Sequence, residues 1–553
     1  MQKKQTILVV ASLLIVVLSV TLAYFTAQII GKGKNVTINS ADLKIIFTDS
    51  DGSISGTNIE PGKWNVTKKF TIENKSNETY KYNIVIQNLV NTFVTEGYLQ
   101  YKITSTNGGY NMTEFKDIPK SSAPKDTILA YSVSIPVGVT QSYTIEFKYA
   151  NDESVDQSDD MGKTLSGKLF ITEGTKEPVT LLSQILKDNP TIKTRTDFDT
   201  TFTETNTGTL YKATESIAGN TPKDVYYFAG DAKNNWVKFG KYQNDLIRYR
   251  GNYISYIKND FHEYSTMDEC TSASSYNVNC TEYKYANTGD DIYWRIIRTN
   301  YDGSIRLLYS GTSPDTTEGY IGKSAFNTPY KDPMYLGYKY GTTGSLKNNR
   351  LNTNDSTIKT YIDNWYKNNL TAYTKYLSND AVYCNDRELA PGSTYSTSSE
   401  FNYASYGRLE TNKTPTYNCT NIKDAFSGSN SEAKLTYPIG LMTADEIAYA
   451  GGVAQIEMNT PYAWYYTNAN GESITGNTVL WLLSPSAWSG SVSRVWVAMA
   501  TSFPGDITNG SYAGDVSYGA RPAISLKTCV KTSGGDGSAE NPYVVYTGSG
   551  VCE

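Results

Sequence analysis

Trp481-Leu-Leu-Ser-Pro485 and Tyr518-Gly-Ala-Arg-Pro-Ala-Ile-Ser-Leu526 bracket a stretch rich in Gly, Asn, Ser and Tyr. Two apolar segments of strand character that enclose so long a polar excursion devote residues to displayed loops rather than to core. A domain written this way is expected to bind rather than to catalyse. Within the excursion Trp488, Arg494, Trp496, Tyr512, Asp515 and Tyr518 combine flat faces with hydrogen-bonding tips, which makes them the candidate ligand contacts. Trp496 alternates with Val495 and Val497, so it also reads as a half-buried strand residue, and Arg521 reads as an internal brace of the loop.

Working back along the chain, Leu441-Met-Thr-Ala-Asp-Glu-Ile-Ala-Tyr-Ala-Gly-Gly452 is a short helix with its punctuation in place. Thr443 is the N-cap, Glu446 completes a capping box and Gly451 closes the helix. Capping and the helix dipole account for the paired carboxylates of Asp445 and Glu446 without catalysis. Upstream, Trp294 to Tyr309 is two apolar runs joined at Asp302-Gly303, a hairpin signal. Ile358, Ile362, Trp365, Tyr373 and Leu377 fit one face of a helix, with the aromatic stripe read as core.

The order of helix 441–452, the Trp481-Leu-Leu-Ser strand, the loop and the Arg521-Pro-Ala strand resembles the C-type-lectin-like fold, in the branch that includes formylglycine-generating enzymes. The likeness spans roughly Thr209 to Cys552, and Tyr226-Tyr-Phe-Ala-Gly-Asp, Asn235-Trp-Val-Lys-Phe and Gly535-Asp-Gly-Ser-Ala-Glu-Asn-Pro-Tyr543 are similar to the openings and ends of such domains in Bacillota surface proteins. Glu-Pro-Asn, Gln-Pro-Asp and Trp-Asn-Asp are all absent, so calcium-mediated sugar binding is not implied. The enzyme branch needs a reactive cysteine pair in its cleft, whereas the cysteines here are expected to be staples near the periphery. An oxidative enzyme of that type therefore stands as an alternative behind binding.

Those cysteines, Cys270, Cys280, Cys384, Cys419, Cys529 and Cys552, all lie beyond residue 260, and an even number in an exported chain implies disulfides. Pairing in chain order is expected, one of fifteen connectivities open to six cysteines. No metal and no cofactor is expected, because no Cys-x-x-Cys occurs and His262 is the only histidine. No Walker loop, Gly-x-Ser-x-Gly elbow or Gly-x-Gly-x-x-Gly is present, and Ser122 to Lys125 is a chance Ser-x-x-Lys.

Export itself is read from the start of the chain. Behind Lys3-Lys4 an uncharged apolar run from Thr6 to Phe25 is long enough for roughly 30 Å of helix, a membrane anchor or, with Thr21-Leu22-Ala23 as a cleavage site, a signal peptide. At 553 residues the chain exceeds one core, and its net charge of −5 gives no reason to expect nucleic acid. Tyrosine reaches 46 residues, a richness that suits surface display and equally follows from AT-rich codons.

Between Asp42 and Ile171 apolar residues alternate at period two, as in Tyr80, Tyr82, Ile84 and Ile86 or Tyr143, Ile145, Phe147 and Tyr149, which predicts an all-β sandwich. Asp49-Ser-Asp-Gly52 is expected to be a turn, and Asn151 to Asp160 a solvated loop. Ala23-Tyr-Phe-Thr, Ala41-Asp-Leu-Lys, Ile59-Glu-Pro-Gly and Phe70-Thr-Ile-Glu-Asn74 resemble the camelysin and TasA-type biofilm-fibre proteins. That resemblance implies an exported sandwich able to assemble into fibres; protease activity does not carry over, since no His-Glu-x-x-His exists. Leu181, Leu182, Ile185 and Leu186 between Pro178 and Pro190 predict a connecting helix at a domain boundary.

The expected protein is thus multidomain: a transmembrane or signal helix (1–31), an all-β sandwich (35–175), a linker with a short helix (176–208) and an α+β C-type-lectin-like domain with insertions and disulfides (209–553). Expected partners are an extracellular glycan or protein ligand, the membrane through the first helix, and further copies of the chain through the sandwich. A structural fibre subunit is the alternative to a ligand-binding surface protein.

Overall fold

The computed structural model describes residues 36–37, 43–47, 53–54, 59–74, 79–173, 179–253, 261–264, 266–272, 277–547 and 552. The apolar run 6–25 and the Asp49–Gly52 turn lie outside the described residues, apart from which no described helix is long and apolar enough to cross a membrane. The chain divides into two units, Met1–Glu177 and Pro178–Glu553.

The first unit is a β-sandwich. One sheet runs in the order Val36–Thr37, Leu43–Phe47, Asn65–Asn74, Thr140–Tyr149, Leu99–Ser105, Lys116–Asp117; the other places Tyr80–Asn91 between Ser121–Ile135 and Leu165–Glu173. The alternation read from the sequence is the reason: Gln141, Tyr143, Ile145, Phe147 and Tyr149 point inward while the residues between them do not. Ile72, Ile103 and Ile145 of the first sheet share one core with Ile84, Ile86 and Ile171 of the second. Phe70 and Tyr143, opposite each other in register, stack at 5.0 Å. Asn151–Asp160 is less solvated than its composition suggests: Asp160 is buried, accepting from the Tyr149 hydroxyl at 2.7 Å and from the Val94 N–H at 2.6 Å.

The second unit is mostly β-sheet with a few short helices. Its largest sheet has eleven strands, with Asp291–Thr299 as a central member hydrogen-bonded to Trp236–Lys241, Lys223–Tyr227 and Ile305–Tyr309. Ile305–Tyr309 leads on to Pro522–Leu526 and Ile439–Leu441, while Val179–Thr180, Lys531–Gly534 and Tyr543–Val545 form one margin. The predicted hairpin is present, and Gly303 supplies the positive φ (81°) that its turn requires. A smaller sheet runs Phe401–Asn402, Leu480–Trp488, Ser493–Ala498, Ile507–Tyr512. The polar excursion therefore holds two further strands folded back on the first.

Helix Leu181–Asp188, capped by the Thr180 side chain, follows directly on the division between the two units and buries Leu181 and Ile185 in the core of the second. Helix Thr357–Asn369 presents Ile358, Ile362, Trp365 and Tyr366 to the same core. Helix Ala444–Ala450 has the complete capping box of Thr443 and Glu446, with Gly451 at φ 127°. A Cβ on Gly451 would lie 2.2 Å from the Phe202 carbonyl oxygen, so only glycine fits.

Disulfides join Cys270–Cys280, Cys384–Cys419 and Cys529–Cys552, leaving no free cysteine. Two depart from the peripheral placement expected of them: Cys270 and Cys419 are fully buried. Many tyrosines are buried. Tyr242, Tyr309, Tyr338, Tyr383, Tyr403, Tyr417 and Tyr465 are core residues, and Tyr242 and Tyr309 join hydroxyls at 2.5 Å. A phenol offers an aromatic body for packing and one polar atom that a carbonyl or second phenol satisfies, so it serves a β-rich core as readily as a surface.

Candidate functional site

The smaller sheet of the second unit forms the wall of a cleft of about 760 Å³. Phe401–Asn402 pairs with Ala487–Trp488, and Trp488 and Ala487 pair in turn with Ser493 and Arg494. This register brings the loop that precedes Phe401, from Gly392 to Glu400, alongside the Trp488–Arg494 turn. Gly490 makes the approach possible: it sits at φ 82°, and a Cβ there would be 3.2 Å from the Ser398 carbonyl oxygen.

The lining is polar. Ser393, Thr394, Ser399 and Ser489 supply hydroxyls, Asn402 and Asn509 amides, Glu400 a carboxylate and Arg494 a guanidinium. Phe401 and Trp488 stand behind these, 5% and 2% exposed, so no open apolar hole is available for a large hydrophobic anchor. Asn509 is held in place by donating its side-chain N–H to Glu410 at 3.0 Å, which leaves its carbonyl oxygen as the acceptor.

Arg494 differs from its fellows. Arg298, Arg306, Arg350, Arg387, Arg408 and Arg250 are paired with carboxylates, Arg195, Arg295 and Arg521 are seated on carbonyls, and Arg248 lies against the Tyr361 ring. Among the described residues Arg494 has no hydrogen bond, ion pair or ring contact, and its Nε is buried. The Trp488 indole N–H is likewise buried and unpaired, whereas Trp294, Trp464, Trp481 and Trp496 each donate to an oxygen. A desolvated donor without an acceptor costs about 1–3 kcal/mol, so two in one wall mark a place where an acceptor is missing.

The structure brings two of the sequence candidates, Trp488 and Arg494, to this cleft. Trp496 is fully buried rather than half-buried, with its indole N–H on the Ser405 hydroxyl at 3.0 Å. Tyr512 stands opposite Arg494 in register, is 43% exposed and packs on Tyr330. Asp515 turns back to accept from the Ser517 N–H, and Tyr518 packs against Trp481. Arg521 is an internal brace, donating to the Tyr309 and Tyr465 carbonyls at 2.6 and 2.5 Å; burial with no carboxylate beside it lowers its pKa to about 9. Gly392 to Asn402 was not among the candidates, since only the pairing of Phe401 with Trp488 makes it part of a site.

A second cluster lies where Cys384 meets Arg298, Arg306, Arg408, Asp386, Asp445 and Glu446 in a cavity of about 20 Å³. Glu446 accepts from Arg298 at 2.9 Å and Arg306 at 2.6 Å, and Arg298 also forks onto both Glu215 oxygens. Burial would raise the Glu446 carboxyl; Arg306, Arg298 and the Thr443 N–H outweigh it and hold the pKa below the ordinary value. Capping is therefore only part of what this residue does. Every charge in the cluster is matched, which suits a structural knot. No three described His, Cys, Asp or Glu side chains are grouped to hold a metal ion.

Next to the cleft strands, Asp506 is buried with one oxygen unpaired, and burial pushes its pKa up to about 6. Its folded value lies above the unfolded one of roughly 3.9, so it favours the fold below that pH and loses this contribution as pH rises towards 6. Asp506→Asn is expected to raise the thermal midpoint at pH 7 and to leave it nearly unchanged at pH 4, as followed by circular dichroism.

No family model and no curated protein matches the chain. Two solved structures were found over 46% of it: one described as a chaperone–tip adhesin complex vital for synergistic activation of CFA/I fimbriae biogenesis (9% identity, 90% of that chain covered, TM-score 0.08), the other as the class 5 fimbriae chaperone CfaA (12% identity, 91% covered, TM-score 0.08). At that TM-score the likeness carries no argument about this fold.

Proposed function

We propose that the second unit is an extracellular binding head of C-type-lectin-like character and that the cleft between Gly392–Asn402 and Trp488–Arg494 takes a hydroxyl-rich ligand, a glycan. The observation that carries this reading is the pairing of a polar, partly unsatisfied wall with a frame fixed by strands. Serine, asparagine and arginine side chains match the alternating donors and acceptors of sugar hydroxyls. The absence of an open apolar hole argues against a peptide held by hydrophobic anchors. Three disulfides fit an extracellular or otherwise oxidising environment, and the apolar run 6–25 supplies a membrane anchor in this proposal.

A glycan and peptide array probed with the full chain tests the reading. Ser399→Trp and Thr394→Trp, on the exposed rim, are expected to abolish glycan signals while leaving the unfolding midpoint unchanged. Binding to peptides alone, or glycan binding indifferent to both substitutions, would refute it.

Fibre formation through the sandwich is the competing proposal, favoured by the fifteen-residue margin strand Ser121–Ile135. Pro124, Lys125 and Asp126 interrupt that margin with a missing donor and two exposed charges, a pattern that discourages strand addition. Binding is accordingly preferred.

A further inference from the structure

We infer that the ligand carries a carboxylate, as an acidic sugar such as a uronate does, and that Arg494 is its specificity-determining contact. The inference rests on the glycan reading of the cleft and goes beyond it by assigning charge. Neutral sugars can be bound by the hydroxyls and amides of Ser393, Ser399, Asn402 and Asn509 alone. A guanidinium held without any partner is surplus to that task. Its planar fork matches the two oxygens of a carboxylate, and such charge-assisted, bidentate bonds are roughly twice as strong as neutral ones.

The arrangement around Arg494 supports this. The strand Ser493–Ala498 fixes its Cα between Ala487 and Tyr512, and Gly510, whose Cβ would lie 3.8 Å from the Arg494 terminal nitrogen, adds no side chain beside the guanidinium. Glu400 lines the same cleft and makes no ion pair with Arg494. Glu410, the other carboxylate nearby, is occupied by Asn509. Where the other described arginines, Arg248 on its tyrosine ring apart, sit on carboxylates or carbonyls, an unmatched one lining the cleft points to an anion that arrives with the ligand.

Isothermal titration of the full chain with trigalacturonate, its methyl ester and inorganic phosphate tests the assignment. The acid is expected to bind at least tenfold more tightly than the ester, and excess phosphate to compete weakly. Arg494→Gln should reduce the affinity for the acid to that of the ester and leave the ester unaffected, while Arg494→Lys, which keeps the charge and loses the fork, should recover only part of the difference. Equal affinity for acid and ester in the unaltered protein, with both lost in Ser399→Trp, would overturn the carboxylate assignment and leave the glycan reading intact. Phosphate displacing trigalacturonate stoichiometrically would overturn it in favour of a general anion site. If neither sugar responds to Ser399→Trp, both readings fall.

Discussion

Glu446→Gln is expected to destabilise the second unit by about 3–5 kcal/mol, the cost typical of breaking a buried ion pair from one side. The substitution keeps the shape of the side chain and an oxygen able to accept from the Thr443 N–H, so the helix cap survives while the charge disappears. Arg298 retains its fork on Glu215, but Arg306 loses its carboxylate and is left with the Val382 carbonyl inside the core. Thr443→Ala, which removes only the cap, should cost about 1 kcal/mol. Urea unfolding of both variants at pH 7 separates charge from cap, and similar midpoints would show that the ion cluster adds nothing. The pH dependence follows from the same geometry. Because the folded pKa is depressed, the contribution of Glu446 is fully present above the unfolded value of roughly 4.3 and is lost as pH falls through the folded one, so the difference between parent and Glu446→Gln should shrink on acidification.

The second large effect is expected from Cys384→Ala/Cys419→Ala. Their bond closes a span of 35 residues, against 23 for Cys529–Cys552 and 10 for Cys270–Cys280. In the chain-entropy account, removing it costs about 4 kcal/mol, and the others about 3.4 and 2.7. The double variants should therefore lose denaturant resistance in the order of span. The Cys384–Cys419 pair also borders the Arg306–Glu446 cluster, so its removal should weaken Glu446→Gln further than the two losses added together. A loss smaller than that from Cys270–Cys280 would contradict the entropic ranking.

What the sequence made legible, and what it hid, divides along the range of the interactions involved. The helix Ala444–Ala450 could be read residue by residue because a capping box and a closing glycine act within one turn. The hairpin at Gly303 and the alternation of the sandwich strands are equally local. Trp488 and Arg494 were candidates for their flat faces and hydrogen-bonding tips, and both line the cleft. The opposite wall was not: Gly392 to Glu400 has no periodicity, and its role depends on Phe401 finding Trp488, eighty-seven positions away in the chain. Arg298 and Arg306 look like ordinary polar members of a strand until Glu446, more than a hundred residues on, is packed against them. The place of the tyrosines was left open for a related reason. A phenol's burial is decided by whether an acceptor waits in the interior, which composition does not encode.

The margin of the large sheet has one more consequence. Val179–Thr180 lies antiparallel to Lys531–Thr532, so an early and a late strand of the second unit adjoin, next to the Cys529–Cys552 staple. Strands that adjoin in this way let a short connection close the second unit on itself, so circular permutation there is expected to cost little closure entropy.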